Sequence, residues 1–272
     1  MKHNLGQFYD KSSDFQHNQF LVLLDLMKAH IDSAGIKDVF EIGAGSGART
    51  LKLLEEFPEV ERTVAIEPDP EMLSVAMSKY ADPRIEYHQC AAEGIQSLDL
   101  PHHSFDLFFS NWVVHWIEDK GKMLQDLDQL LRVQIPQKNG YFAFSTCERL
   151  PNILTDLDHY IRAELMLPAS HSYPWYYLTV EEWQDLLQQH GWRIVAHKAY
   201  PADHYVDDAG VYLDHWFAAS TAKFLYGQQM EQVSELSISD ALWFMEQKYG
   251  DSQKPGGLYF QEDVLFVIAQ KI

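Results

Sequence analysis

Cysteine is scarce in this chain, basic residues are outnumbered, and long apolar runs are missing. Each shortage removes a class of protein. The two cysteines, Cys90 and Cys147, are far apart in sequence with no partner pattern, so reduced thiols are expected. No stretch approaches the ~20 consecutive apolar residues that a bilayer-spanning helix needs. The opening MKHNLGQFYDKSSDF has neither the apolar core nor the small-residue cleavage site of a secretory signal. Together these features predict a cytoplasmic protein that does not act at a membrane. Twenty-one Lys and Arg stand against forty Asp and Glu, a formal charge of −19. Nucleic-acid binding depends on Lys and Arg neutralising phosphates, and no basic cluster interrupts the acidic background. Neither a nucleic acid nor an acidic carrier protein is an expected partner. Oligomeric state is left open.

What is there suits a packed globular chain: 272 residues, 46% hydrophobic and 13% aromatic. Residues 15–34 carry Phe20, Leu23, Leu24, Met27 and Ile31 at helical spacing, with Gly35 as the stop. Strands are then expected at DVFEIG, RTVAIEP, IEYHQCA, FDLFFSN and YFAFST, alternating with helices at ARTLKLLEEF, PEMLSVAMSKYA and KGKMLQDLDQLLRVQ. FDLFFSN is apolar throughout and so is expected to be central. TVEEWQDLLQQHGW is a further helix, with Thr179 as N-cap and Gly191 past its end. WRIVAHKAY and EDVLFVIAQKI read as two closing strands. The pattern predicts an α/β fold with a mostly parallel, doubly wound sheet. A single domain over 1–272 is expected. Its core is about 36–148, 179–199 and 260–272, and its partly helical cap comes from 1–30, 149–178 and 200–259.

The stretch VFEIGAGSGART, residues 39–50, holds Gly43, Gly45 and Gly47 at alternate positions just after Glu41. Gly43-x-Gly45-x-x-Ala48 also satisfies a dinucleotide fingerprint, and Glu67, twenty residues beyond Gly47, could hold a ribose in either case. A dinucleotide needs its pyrophosphate at the helix N-terminus. An acid directly before the glycines instead suits a phosphate-free ligand with a positive centre. S-adenosyl-L-methionine is such a ligand, carrying a sulfonium, an ammonium, a carboxylate and a ribose diol. Amides of the turn are expected to meet its carboxylate.

EIGAGSG, AIEPDPEML, SFDLFFSNWVVHWI and LLRVQIPQKNGYFAFST, in that order, resemble the motifs of class I S-adenosylmethionine-dependent methyltransferases. The resemblance covers about residues 37–146 and the closing strands. It implies a Rossmann-like seven-stranded sheet with an antiparallel last strand and S-adenosyl-L-methionine as cofactor. It places the cofactor against Glu41, Gly43, Ala44, Gly45, Gly47, Glu67, Pro68, Asn111 and Trp112, with Glu67 on the ribose hydroxyls. After the third strand the family often reads Gly-Asp-Ala, whereas this chain reads Cys90-Ala91-Ala92-Glu93. Ala91 cannot accept from the adenine amino group, so either Glu93 or backbone groups near Ala92 would read the base.

FYDKSSDFQ, SNWVVHW and VLFVIAQK further resemble the carboxyl O-methyltransferases, whose members act on juvenile hormone acid, trans-aconitate and the malonyl-carrier protein. By that resemblance Tyr9 belongs to the cofactor site, and Gln16 and Trp116 contact the substrate carboxylate. A small-molecule acid is the expected partner. A carboxylate is ionised at neutral pH and needs no general base. An N-, phenol O- or C-methyl acceptor would need one, and His115 or His215 is then the candidate. A non-catalytic cofactor-binding protein is a third reading. Blander roles stay open: Trp116 as core, Gln16 as an exposed residue at a helix start, and His115 as structural. HSYPWYY (171–177) could line a pocket or brace the cap. His102-His103 lacks metal-ligand spacing and no metal is expected.

Overall fold

The computed structural model describes residues 14–131, 140–169, 173, 175–218, 225–227, 233 and 238–272. Tyr9, the segment 132–139 and parts of 170–174 lie outside the described residues. Helix α1 spans Asp14–His30, followed by strand β1 at Asp38–Ile42, α2 at Ala48–Glu56, β2 at Arg62–Glu67, α3 at Pro70–Lys79 and β3 at Ile85–Gln89. Then come β4 at Leu107–Asn111, α4 at Lys120–Leu130, β5 at Tyr141–Cys147, α5 at Asn152–Glu164 and α6 at Val180–Gln189. The remaining elements are β6 at Trp192–Val206, α7 at Ala209–Ala218, α8 at Ile238–Tyr249 and β7 at Leu258–Lys271.

The seven strands form one sheet in the order β3-β2-β1-β4-β5-β7-β6. Strands β1 to β5 pair parallel, and β7 runs antiparallel to both β5 and β6. The seven strands, the antiparallel last strand and the central place of β4 agree with the expectation. The chain order reverses between β1 and β4, and ligands of open α/β sheets settle in the crevice at such a switch point.

Alternation along the strands builds two cores. Phe40 and Ile42 of β1, Phe108 of β4 and Phe142 and Phe144 of β5 face Leu124, Leu127, Trp183 and Trp192. Val39, Leu107, Phe109 and Ala143 point the other way, onto Phe20, Leu23, Leu24 and Met27 of α1 and Leu53 and Leu54 of α2. α1 therefore covers the sheet itself and does not belong with the cap, as the expected boundary of 1–30 had it. The helix predicted to 34 also ends earlier, at His30. Asp32 caps a separate 3₁₀ turn, Ser33–Gly35, by accepting from the Ala34 amide at 3.2 Å. α6 opens on the capping box Thr179/Glu182, with bonds of 3.3 and 2.8 Å.

The last two strands are longer than WRIVAHKAY and EDVLFVIAQKI. Their pairing runs on from Tyr200↔Val264 to Val206↔Leu258. Pro201, Asp203 and His204 interrupt the apolar alternation and hide this extension from a sequence reading. β6 tolerates Pro201 because it is an edge strand, where a missing amide costs nothing. Asp203 also accepts across the pair from Tyr259 and Gln261, both at 2.9 Å. Leu258 and Phe260 of the extension join Ile153, Leu157, Ile161, Leu213, Ala241 and Met245 in a third apolar cluster. Beside it Arg162 donates to buried Asp158 at 2.9 Å, and Tyr226 adds a bond of 2.8 Å.

Candidate active site

The loop after β1 is shaped by its glycines. Gly43, Gly45 and Gly47 have φ of +77°, +58° and +86°, a region that side chains rarely adopt. A Cβ on Gly43 would sit 2.3 Å from Val113 Cγ2, and one on Gly47 would sit 2.6 Å from the Tyr87 hydroxyl. The first contact lets the β4 loop close over the turn, and the second lets α2 approach β3. The amides expected to meet a ligand carboxylate are engaged inside the protein. Gly43 and Ala44 donate to Ile66 O at 2.9 and 3.0 Å, and Gly47 donates to Ala44 O at 3.0 Å. Gly45 donates to Glu67 Oε2, and Asp69 donates to Glu67 Oε1, each at 2.9 Å. Two backbone amides thus fix the Glu67 carboxylate from both sides, leaving its remaining lone pairs for hydroxyl donors.

Glu41 is 1% exposed and lines the same cavity. Burial pushes its carboxyl up to about 7, and the neighbouring Glu67 charge adds to the rise, while Thr50 and Arg49 oppose it. Its Oε2 has no hydrogen-bond partner among the described residues. A buried carboxylate oxygen in that position suits a cationic ligand. Burial likewise raises Glu67, against the lowering effect of its two amide donors. Arg49, a buried residue of α2, adds the guanidinium that lines this part of the cavity. The residues present therefore fit S-adenosylmethionine: Glu67 for the diol, Glu41 for the ammonium, and Arg49, in place of the turn amides, for the carboxylate.

The mouth of β4 is held under strain. Ser110 Oγ donates to Ile42 O at 3.0 Å, and Ser145 Oγ donates to Asn111 Oδ1 at 2.9 Å. Trp112 sits at φ +64°, a conformation that costs a bulky residue roughly 1–3 kcal/mol and clusters at functional sites. Its amide donates to Ser145 O at 3.1 Å. The turn Val114–Trp116 then separates two neighbours. Trp116 is 38% exposed and meets Trp175 at 5.4 Å, so it is not a core residue. His115 is buried, with Nδ1 3.2 Å from Thr146 Oγ1 and its ring stacked on Tyr177. Burial, aided by the Lys120 charge, drives its pKa down to about 3. A neutral imidazole with so low a pKa is a poor base at physiological pH.

A cavity of about 490 Å³ joins these parts. Gln16, Glu41, Gly43, Ala44, Gly45, Glu67, Pro68, Asn111, Trp112, His115 and Trp116 all line it, drawn from α1 and the ends of β1, β2 and β4. Gln16 reaches it half-buried from α1, and its Oε1 is another buried oxygen without a hydrogen-bond partner among the described residues. Three of the described residues expected at the cofactor are not in the lining. Gly47 acts behind the turn. Ala92 opens a 3₁₀ turn and packs into the core beside Cys90 and Ile95, and Glu93 faces solvent. Tyr9 lies outside the described residues, as does the His215 side chain. The sequence reading missed Phe15, Arg49, Asp69, Met72, His204, Tyr212 and Glu262. Phe15 stacks on His204 at 4.1 Å and meets Trp112 edge-on at 5.2 Å. Trp175 and Tyr177 of HSYPWYY are wall residues as well.

Residues 40–144 match the family model described as a methyltransferase domain. A malonyl-[acyl-carrier protein] O-methyltransferase of Acetivibrio thermocellus is 30% identical over 138 residues, covering 51% of this chain and 44% of that protein. A trans-aconitate 2-methyltransferase of Azoarcus sp. is 27% identical over 195 residues, 70% and 69% of the two chains. The match thus spans about half the length or less of the carrier-protein methyltransferase. The YcgJ protein of Bacillus subtilis superposes with a TM-score of 0.54 at 15% identity, over 94% of this chain and 98% of that one. Among the described residues, no helix is long and apolar enough to cross a membrane. Residues 40–144 match the methyltransferase domain family, and the chain that carries them has the Rossmann-like fold of S-adenosylmethionine-dependent methyltransferases.

Proposed function

We propose that the chain transfers a methyl group from S-adenosylmethionine to the carboxylate of a small-molecule acid, forming a methyl ester. The cofactor would supply an electrophilic methyl on its sulfonium. The chain's own residues would do the rest: Glu67 grips the ribose hydroxyls, Glu41 faces the ammonium, and Asn111 and Trp112 border the reacting end. Gln16 and Trp116 orient the acceptor carboxylate through a side-chain amide and an indole N–H. Both are neutral donors and do not compete with the sulfonium. Apolar walls at Phe15, Trp112 and Trp175 strip water from the acceptor, which strengthens in-line attack at about 3–3.5 Å.

One observation carries the choice of acceptor. Gln16 and Trp116, distant in sequence, share the cavity with the glycine turn, while the imidazole beside them is held near a pKa of about 3. Such a site favours an acceptor that is already ionised, and a carboxylate is. An amine or phenol would need a base that His115 does not provide. The names of the two relatives, which describe a malonyl-carrier and a trans-aconitate methyltransferase, agree with this class. The test is transfer of a labelled methyl from the cofactor to a panel of acids, followed by mild alkali. Release of labelled methanol is the expected result, and a base-stable product would contradict ester formation.

A further inference from the structure

The β7 side of the cavity holds a buried carboxyl group that the methyl-transfer account does not use. Glu262 lies on β7, is 8% exposed, and lines the cavity. Across the sheet its strand is four places from β2, which carries Glu67. At ~4.8 Å per strand this is roughly 19 Å. Gln16 and Trp116 act between them, around the mouth of β4.

Buried carboxylates are ordinarily paired. Asp158 in the cap shows the usual solution, with Arg162 at 2.9 Å and the Tyr226 and Tyr173 hydroxyls at 2.8 and 3.1 Å. Among the described residues none is placed to donate a hydrogen bond to Glu262. The nearest basic atom is His204 Nδ1, at 3.8 Å. The other titratable groups beside it are the Cys147 thiol and the Tyr177 and Tyr212 phenols, whose pKa values are raised first by burial and then by neighbouring groups that include Glu262. None of them is a cation. Among the described residues, the charged side chains lining the cavity are the acids Glu41, Glu67, Asp69 and Glu262 and one guanidinium, Arg49, on the cofactor side. The rings of Phe15, Tyr177 and Tyr212 line the same cavity and bring no cation of their own.

We propose that Glu262 is a specificity residue that binds an ammonium group on the acceptor, at the end remote from the carboxylate to be methylated. The favoured substrates are then amino acids in the broad sense, and polycarboxylates are rejected. This rests on the acid-methylation reading above, because it places the carboxylate at Gln16 and Trp116.

The test is calorimetric binding to the full chain in the presence of S-adenosylhomocysteine. The probes are 4-(aminomethyl)benzoate, 4-(hydroxymethyl)benzoate, 4-methylbenzoate and terephthalate, with the matching phenylpropionate series for reach. The amine should bind about tenfold tighter than its methyl analogue in at least one series, with the dicarboxylate weakest. In Glu262→Gln, a near-isosteric change, that ratio should shrink to within about twofold while the methyl analogue binds as before. A merely structural role would weaken all four ligands alike. Equal binding of amine and methyl analogues, preference for the dicarboxylate, a ratio that survives Glu262→Gln, or no binding by any probe would overturn the proposal. Failure of the ester reading is separate: it shows as alkali-stable label, whatever the binding ratios.

Discussion

The two halves of the cavity are built differently. The cofactor half comes mostly from the short loops after β1 and β2, where Gly43, Gly45 and Glu67 interlock through backbone amides. The acceptor half is gathered from α1, the β4 turn, the end of β5, the cap and the β6–β7 extension, and side chains make its walls. The first is local and pre-organised by hydrogen bonds, so its chemistry is constrained. The second is held by aromatic packing, so its residues can change without disturbing the turn. One fold can therefore keep a cofactor while varying its substrates.

Glu67→Gln should break the contrast most severely. The amide cannot accept from both Gly45 and Asp69 while also receiving a sugar hydroxyl, so S-adenosylhomocysteine should bind roughly a hundredfold more weakly by calorimetry. Gln16→Ala and Trp116→Phe probe the other half. Each should lower kcat roughly ten- to a hundredfold while cofactor affinity stays within about twofold, as read by turnover and titration together. If either weakened the cofactor as much as Glu67→Gln, the division into halves would be wrong.

Glu41 gives a pH test. Its folded pKa, about 7, lies above the ordinary carboxylate value of 4.5. Between those values the ligand-free folded state binds the extra proton, so stability should fall as pH rises through that window and level off above 7. The full effect is on the order of 3 kcal/mol. Cofactor affinity should move oppositely, tightening up to about tenfold from pH 6 to 8, because only the ionised carboxylate attracts an ammonium. Glu41→Gln should remove both slopes, and slopes that persist would place the proton elsewhere. The smallest effect is expected of His115→Asn. With a pKa near 3 the imidazole is no base, so kcat should change only a few-fold and no new limb should appear between pH 6 and 8.

The same division governs what could be read from the sequence. The mostly parallel sheet follows from helix-strand alternation, and the antiparallel β7 from a family resemblance carried by motifs that occupy contiguous residues. Gly43 and Gly47 are recognisable because positive φ and close approach leave no other residue possible there. Gln16 and Trp116 were reached by resemblance, not by spacing. His204, Tyr212 and Glu262 were not found. A lone Glu in an apparent closing strand carries no local signal, and only the extended register of β6 with β7 brings it to the cavity. Arg49 was legible as an amphipathic helix residue, and its direction became clear only with α2 in place. At the adenine motif position a 3₁₀ turn sends the Ala92 side chain inward and Glu93 to solvent, a direction the sequence alone did not give.

The central claim is that the crevice between β1 and β4 seats a sulfonium nucleoside, and a calorimetric titration with S-adenosylhomocysteine, with NADH as the control, tests it most directly. The account predicts a single saturable site for the nucleoside, sharply weakened in Glu67→Gln, and no heat from NADH. Binding of NADH in its place, or of neither, would contradict it.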